Sequence, residues 1–146
     1  MSGDARNGQA ANVSPEGGDP AGAVAFEYAL VRAVPRVDRG EFVNIAVVLY
    51  CQARDFLGCT GALVPARLLA LDPRVDVDAV AAALEGICAV CEGRPVAGAA
   101  AGGPPRARFG WLTFPRSTVV QPGPVHSGVT GDPEAELARL AARLVG

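Results

Sequence analysis

The spacing of large apolar residues predicts three β-strands in the first half of the chain. Residues 26–34 alternate larger and smaller side chains with a period of two, which is typical of a strand with one buried face. Residues 42–51 form an almost unbroken apolar and β-branched run, which favours a central strand. Residues 56–64 predict a third strand, although Gly58 and Gly61 weaken it or mark a bulge. Short connections between these segments indicate an antiparallel meander.

The apolar spacing changes to a helical period in the second half of the chain. A short helix is predicted over residues 65–71, with a proline in its first turn. A longer helix is capped by Asp76 and ends at Gly93. Residues 133–145 give the clearest helical pattern, with Asp132 as its cap. Strands followed by helices predict an α+β fold, in which a small antiparallel sheet of three to four strands carries its helices on one face.

Two stretches lack the pattern of a packed core. Residues 1–24 are rich in small and polar residues without periodicity, so they are predicted to be a disordered tail. The remaining residues, 25–146, are predicted to form a single domain. Within it, residues 94–105 form a flexible Gly/Ala/Pro linker, and a helical turn over residues 106–112 anchors Trp111 in the core.

Composition and charge exclude several classes of function. The formal net charge of the 146 residues is −2, which argues against a broad basic surface for nucleic acid. The N-terminus lacks the basic region and apolar run of a signal peptide, and no segment approaches the roughly 18 apolar residues that cross a bilayer. We therefore expect a cytoplasmic protein with reduced cysteines that binds neither nucleic acid nor membrane.

The spacing of Cys88 and Cys91 is compatible with a metal or a redox motif. Cys88 and Cys91 lie on the buried stripe of a predicted helix, at its far end. A zinc site requires two further ligands, and the chain has no second close-spaced pair. A redox motif places its first cysteine at an exposed helix N-terminus. We interpret these cysteines as small core residues, and we predict no metal site and no cofactor.

One polar segment, residues 114–128, stands out from the apolar composition around it. It contains the only histidine of the chain and, apart from the tail, its only serines. Prolines and glycines favour a rigid extended loop, in which residues 117–121 are predicted to add a fourth strand. The side chains suited to binding a phosphate or carboxylate are Arg116, Ser117, Gln121 and His126.

Two polar residues of the predicted strands also require an explanation. Arg32 shares a strand face with large apolar residues, and a half-buried guanidinium requires a carboxylate or a bound anion. Glu41 is the favoured partner, because the hairpin folds it back beside the first strand, and a bound anion is the alternative. Asn44 lies inside an apolar strand, so it either points its amide at a ligand or satisfies a neighbouring backbone group.

An ordered set of motifs adds a resemblance to a known family. The motifs are residues 27–32 with Pro35, residues 40–45, residues 54–56, residues 115–117 with Gln121, and residues 126–128. Over about residues 25–145 they resemble the bacterial domain-of-unknown-function family 3037, which has no established activity. The resemblance implies that the candidate binding residues are Arg32, Glu41, Asn44, Arg54, Arg116, Ser117, Gln121 and His126. It also implies a protein partner, because family members look like gene neighbours of HipA-like kinases.

Two functional hypotheses follow. The first is a small binding or regulatory module that recognises an anionic or phosphorylated ligand and acts with a HipA-like kinase partner. The second is a small hydrolase or transferase in which His126 is the general base, assisted by Glu41 or Ser117. In either case the polar segment should run alongside the sheet, bringing Arg116 or His126 close to the turn at residues 36–41 or to Arg54.

Overall fold

The computed structural model describes residues 22–145, apart from the side chains of residues 96 and 97. This part of the chain contains a four-stranded sheet and four α-helices. In chain order they are β1 (Val24–Ala33), β2 (Val43–Cys51), β3 (Phe56–Gly61), α1 (Pro65–Leu71), α2 (Val77–Glu92), α3 (Pro105–Thr113), β4 (Val120–Thr130) and α4 (Pro133–Leu144). Short 3-10 segments lie at Gln52–Arg54 and Pro95–Ala101.

The sheet is antiparallel throughout, with the strand order β3-β2-β1-β4. β1 and β2 are the inner strands, and β2 is buried along almost its whole length, as its continuous apolar run predicts. β4 returns from the helical half of the chain to pair with the free edge of β1. The predicted α+β fold with a small antiparallel sheet is therefore confirmed.

Three helices cover one side of the sheet, which we call the first face. Alternate residues of the inner strands point to this side and pack against helix residues in one buried cluster. The helix members of that cluster are Leu68 from α1, Val80, Val90 and Cys91 from α2, and Phe109 and Leu112 from α3. Sequence signals place α2 as expected, because the Asp76 carboxylate accepts the Ala79 N–H and Gly93 ends the helix with a φ of 68°.

The opposite side, the second face, is covered in part by α4. Leu137 and Leu140 of this helix pack against Phe26 of β1 and against Val47 and Leu49 of β2. The prediction that all helices lie on one face is therefore wrong. β2 is apolar on both faces, so burial of its side chains requires a helix on each side of the sheet. Because α4 packs mainly across β2 and β3, it leaves the second face of β1 and β4 partly open.

Two local predictions in the second half of the chain also need correction. β4 spans Val120–Thr130 rather than residues 117–121, because an edge strand tolerates its prolines. α3 occupies the region of the predicted helical turn, but Trp111 is 46% exposed rather than anchored in the core. The helical spacing turns Phe109 and Leu112 inward, and Trp111 lies between them on the outer side.

The predicted tail and linker coincide only partly with the described residues. Residues 1–21 lie outside them, and β1 already begins at Val24, the last residue of the predicted tail. The predicted linker at residues 94–105 contains the 3-10 segment Pro95–Ala101, whose last residue is buried. The flexibility of this linker and the domain boundaries stay predictions.

Candidate anion-binding site

Arg32 lies on the second face of the sheet, near the end of β1. Its half-buried guanidinium lies over the ring of Phe42 and close to the backbone of Gly123. The guanidinium carbon lies 4.1 Å from the Phe42 ring centroid, which is a cation–π distance. A Cβ atom at Gly123 would lie only 3.1 Å from the same carbon, so any larger residue there would have to displace the guanidinium by a few tenths of an ångström.

Bulges in both neighbouring strands flank Arg32. In the β1–β2 pairing, Arg32 faces Asn44 and Val31 faces Ala46, which leaves Ile45 as an extra residue of β2. In the β1–β4 pairing, a register shift places two β4 residues, Gly123 and Pro124, opposite one residue of β1. A bulge increases the local twist and redirects neighbouring side chains. The two irregularities therefore set the direction in which Arg32 leaves the sheet.

Asn44 and Gln121 are the register partners of Arg32 on its two neighbouring strands. Asn44 Nδ2 donates a hydrogen bond of 3.2 Å to the Leu144 carbonyl at the end of α4. Its Oδ1 is buried and has no hydrogen-bond partner in the described part of the chain. Gln121 Nε2 donates a hydrogen bond of 2.7 Å to the Thr118 carbonyl, which holds the Gln121 side chain toward the segment that precedes β4. The three residues form one polar row across β2, β1 and β4.

The Arg32 guanidinium has no carboxylate partner among residues 22–145. Its Nε is buried and forms no hydrogen bond there. Glu41, its favoured partner, is exposed and pairs with Arg39 at 2.8 Å. The hydrogen bond from Arg39 also holds the pKa of Glu41 below its ordinary value. The predicted Arg32–Glu41 ion pair is therefore wrong, because Arg39 is only two residues from Glu41 in the same exposed turn.

His126 lies on the same face but away from this row. Its ring packs on Tyr28, with the two centroids 5.2 Å apart, and the side chain is exposed. Tyr28 precedes Arg32 by four residues on β1, which corresponds to about 13 Å along a strand. In the described residues, His126 has no hydrogen bond or ion pair that would orient it as a general base.

Three other candidate residues lie elsewhere in the molecule. The Arg54 guanidinium donates to the carbonyls of Gly22 and Gly131, so it ties together the ends of β1 and β4 far from Arg32. Arg116 donates to the Trp111 carbonyl at 2.7 Å and lines a cleft with Pro35, which precedes the turn at residues 36–41. Ser117 is exposed. The structure therefore groups Arg32, Asn44 and Gln121, and separates Arg54, Arg116 and Ser117 from them.

Two residues of the site were missed at the sequence level. Phe42 is 44% exposed because its ring covers Arg32 instead of entering the core. The period-two pattern could have identified Phe42, because residues two apart in an extended chain point to the same side and Phe42 is two residues before Asn44. Gly123 was noted only as part of a rigid loop. No local sequence signal indicates that Gly123 lies under the Arg32 side chain, because that contact depends on the pairing of β4 with β1.

Three of the four cysteines, Cys59, Cys88 and Cys91, form a thiol cluster on the other side of the molecule, between β3 and α2. Cys88 Sγ lies 3.5 Å from Cys59 Sγ, and all four cysteines are free. The hydrogen bond with Cys88 lowers the pKa of Cys59, but a hydrogen bond with Cys91 and burial outweigh it and raise that pKa to about 12. Its hydrogen bond with Cys59 and burial raise the pKa of Cys88. Within the described residues, no group of three or more potential ligands is arranged to hold a metal ion.

A protein-family model described as "Protein of unknown function (DUF3037)" matches residues 28–145, which is more than half of the chain. The chain therefore belongs to this family, as its motifs indicated. No curated protein and no solved structure is significantly similar to it. In the part of the chain that the structure describes, none of the helices has the length and apolar character of a membrane span. Because the family description names no activity, the functional argument depends on the site geometry.

Proposed function

We propose that this DUF3037 protein is a small binding module that recognises a phosphate or carboxylate group through Arg32. One observation carries the proposal: the guanidinium is half-buried and has no carboxylate partner in the described chain, and its Nε is buried without a hydrogen bond. Removing a charged group from water is unfavourable unless an opposite charge compensates it. A bound anion is the partner that Arg32 is suited to accept.

The surroundings of Arg32 support anion binding by fixing the guanidinium plane. The ring of Phe42 and the backbone of Gly123 both lie close to it and restrict its movement. A rigid guanidinium loses little conformational entropy when it forms paired hydrogen bonds with two oxygens of one anion. Asn44 Oδ1 beside it is a buried acceptor that receives no hydrogen bond from the described residues. A ligand that combines an anionic group with a nearby hydroxyl, such as a sugar phosphate or a hydroxy acid, would satisfy both residues.

Isothermal titration calorimetry tests this proposal with wild type and two matched variants. The probes are inorganic phosphate, a sugar phosphate, a hydroxy acid and a phosphoserine peptide. Arg32→Met should weaken binding about tenfold or more, since hydrogen bonds to a charged group contribute about 1.5–3 kcal/mol. Arg143→Met removes the same charge from an exposed position on α4 and should leave binding unchanged. Equal losses in both variants, or no saturable binding of any probe, would contradict the proposal.

The source of the anionic group distinguishes two versions of the same proposal. A free small molecule should bind the isolated protein, whereas a phosphorylated residue on a partner should bind only as a phosphopeptide or in a complex. The family resemblance suggests a HipA-like kinase as that partner, in the bacterial cytoplasm, where four free cysteines stay reduced. Co-purification of such a kinase with wild type, but not with Arg32→Met, would support the partner version. Recovery with both variants would contradict a role for Arg32 in it.

A further inference from the structure

A second candidate site lies on the first face of the sheet, separate from Arg32. A cleft of about 600 Å³ opens between α2, the end of α3 and the segment that leads into β4. Its volume is within the range of roughly 300–1,000 Å³ that is usual for small-molecule sites. The proposed function does not use this cleft, because Arg32 points to the opposite face.

Most of the cleft wall is apolar. Val80 and Ile87 of α2 form one side, and Val119 and Val120 form the other. Ala79, Ala83 and Gly86 also line it, and their spacing places them along one face of α2. These small residues leave room between the helix and β4 that larger side chains would fill. A Cβ atom at Gly86 would meet no atom within 4 Å, so the space beside this residue is open.

Two arginines give the cleft its cationic groups. Arg116 lies 4.7 Å over the ring of Trp111 and donates to the Trp111 carbonyl, while Arg74 lies in the turn before α2. In the described part of the chain, neither guanidinium forms an ion pair. The carboxylates at the rim, Asp72 and Asp76, already accept backbone N–H groups at 3.0 Å. Arg116 is therefore available to an anionic group that enters beside the exposed indole.

The charge balance of the cleft limits the class of ligand. Two arginines and two aspartates line it, so their formal charges sum to zero. A polyanion would approach Arg116 and Arg74 but would also meet the charges of Asp72 and Asp76. A ligand with one negative charge and an apolar body avoids that repulsion and matches the apolar walls. This balance separates the cleft from the Arg32 site, which has no carboxylate beside it among the described residues.

We propose that the cleft binds an apolar monocarboxylate, whose carboxylate pairs with Arg116 and whose hydrocarbon part packs between α2 and Trp111. An arginine fork and an aromatic wall are the common means of holding such a ligand. Trp111 is the only tryptophan of the chain, so its fluorescence reports directly on this cleft. That makes the test independent of the Arg32 site.

The experiment is a tryptophan fluorescence titration with octanoate and with 3-phenylpropionate. Octanol, which has as many carbon atoms as octanoate but no charge, is the control for the carboxylate. Wild type should show a saturable change with the acids and a weaker response to octanol. Gly86→Leu extends a side chain into the open space and should abolish binding, whereas Gly86→Ala should bind like wild type. Leucine and alanine both have a higher helix propensity than glycine, so α2 is expected to stay folded in both variants. Arg116→Gln should weaken octanoate binding about tenfold or more.

Each outcome decides the proposal. No saturable signal with either acid, or wild-type affinity in a folded Gly86→Leu protein, would overturn it. If circular dichroism shows that Gly86→Leu is unfolded, Arg116→Gln decides, and an unchanged octanoate affinity overturns the proposal. Arg32→Met should leave octanoate binding intact because it changes the opposite face. Loss of octanoate binding in Arg32→Met would therefore also contradict two separate sites.

Discussion

At the scale of single residues, Arg32 combines an unfavourable burial with an aromatic contact that partly offsets it. A half-buried guanidinium without a carboxylate lowers the free energy of unfolding. The cation–π contact with Phe42 contributes about 0.5–1 kcal/mol in the opposite direction at a partly exposed site. Binding residues often reduce stability in this way, because an interaction reserved for the ligand is missing from the free protein.

We predict that Arg32→Met leaves stability nearly unchanged, within about 1 kcal/mol of wild type, although we expect it to weaken anion binding. Methionine retains an unbranched chain that packs on Phe42 and Gly123, and it needs no counter-charge. Urea denaturation followed by circular dichroism measures the free energy of unfolding. A loss of about 3–5 kcal/mol would show that Arg32 has a buried ionic partner, and the anion site would then be wrong.

The interpretation of Arg32 from sequence was half correct for a physical reason. Its period-two position among apolar residues correctly indicated that Arg32 is half-buried. Its partner could not be deduced, because several charged residues share the turn that follows β1 and their pairing depends on the turn conformation. In the structure, Arg36 pairs with Asp38 and Arg39 pairs with Glu41. Because these local pairs form within the turn, Arg32 has no carboxylate partner among residues 22–145.

At the scale of secondary-structure elements, Arg108 joins α3 to the end of α2. Its guanidinium donates to the carbonyls of Val90, Cys91 and Gly103, at 2.9, 3.2 and 2.7 Å. The last carbonyls of a helix have no partner within the helix, so Arg108 supplies a donor to the Cys91 carbonyl there, whereas the Val90 carbonyl also accepts the Gly93 N–H. Unlike Arg32, this arginine has protein acceptors on several sides.

The same substitution at Arg108 should, in contrast, destabilise the protein. Arg108→Met leaves partly buried carbonyls without donors, and we expect it to lower the free energy of unfolding by about 2–4 kcal/mol. Urea denaturation under the conditions used for Arg32→Met gives the comparison. Similar small effects at both positions would contradict the distinction between a structural and a ligand-binding arginine.

The elements that the sequence predicted well are those whose burial follows from local periodicity. β1, β2 and α2 were found because alternation, a continuous apolar run and helix caps each act over a few neighbouring residues. β4 was underestimated because Pro122 and Pro124 are typical of loops, and only an edge position allows them in a strand. The side on which α4 packs depends on the path of the whole chain, so no local pattern specifies it.

At the scale of the whole molecule, β2 connects two apolar clusters. Its residues alternate between the cluster under α1, α2 and α3 and the cluster under α4. Because both clusters share this strand, disruption of either one should expose the other, and we expect cooperative unfolding. The cysteines are distributed over both clusters, so their reactivity can be used to follow this cooperative unfolding. Cys51 belongs to the second-face cluster and Cys91 to the first-face cluster, while Cys59 and Cys88 join β3 to α2.

We predict that the four thiols react slowly with Ellman's reagent in the native protein at pH 8 and react together on unfolding. Cys51 and Cys91 are buried, and the raised pKa values of Cys59 and Cys88 reduce the thiolate that attacks the reagent. With its pKa at about 12, Cys59 is about one part in 10⁴ thiolate at pH 8. In unfolded chains the thiol pKa returns to about 8.5, so all four become reactive.

The measurement follows thiol release at 412 nm in increasing urea, beside the circular dichroism of the same samples. The fraction of reactive thiols should follow the unfolded fraction, since each cysteine is protected by the same cooperative structure. Cys51→Ala is the control that lowers the final number of reactive thiols by one, because Cys51 lies in the second-face cluster and its thiol contacts the Ala25 carbonyl rather than another cysteine. Rapid reaction of any thiol in the absence of urea would mean that part of the structure opens locally before the molecule unfolds, and the single cooperative unit inferred from β2 would be wrong.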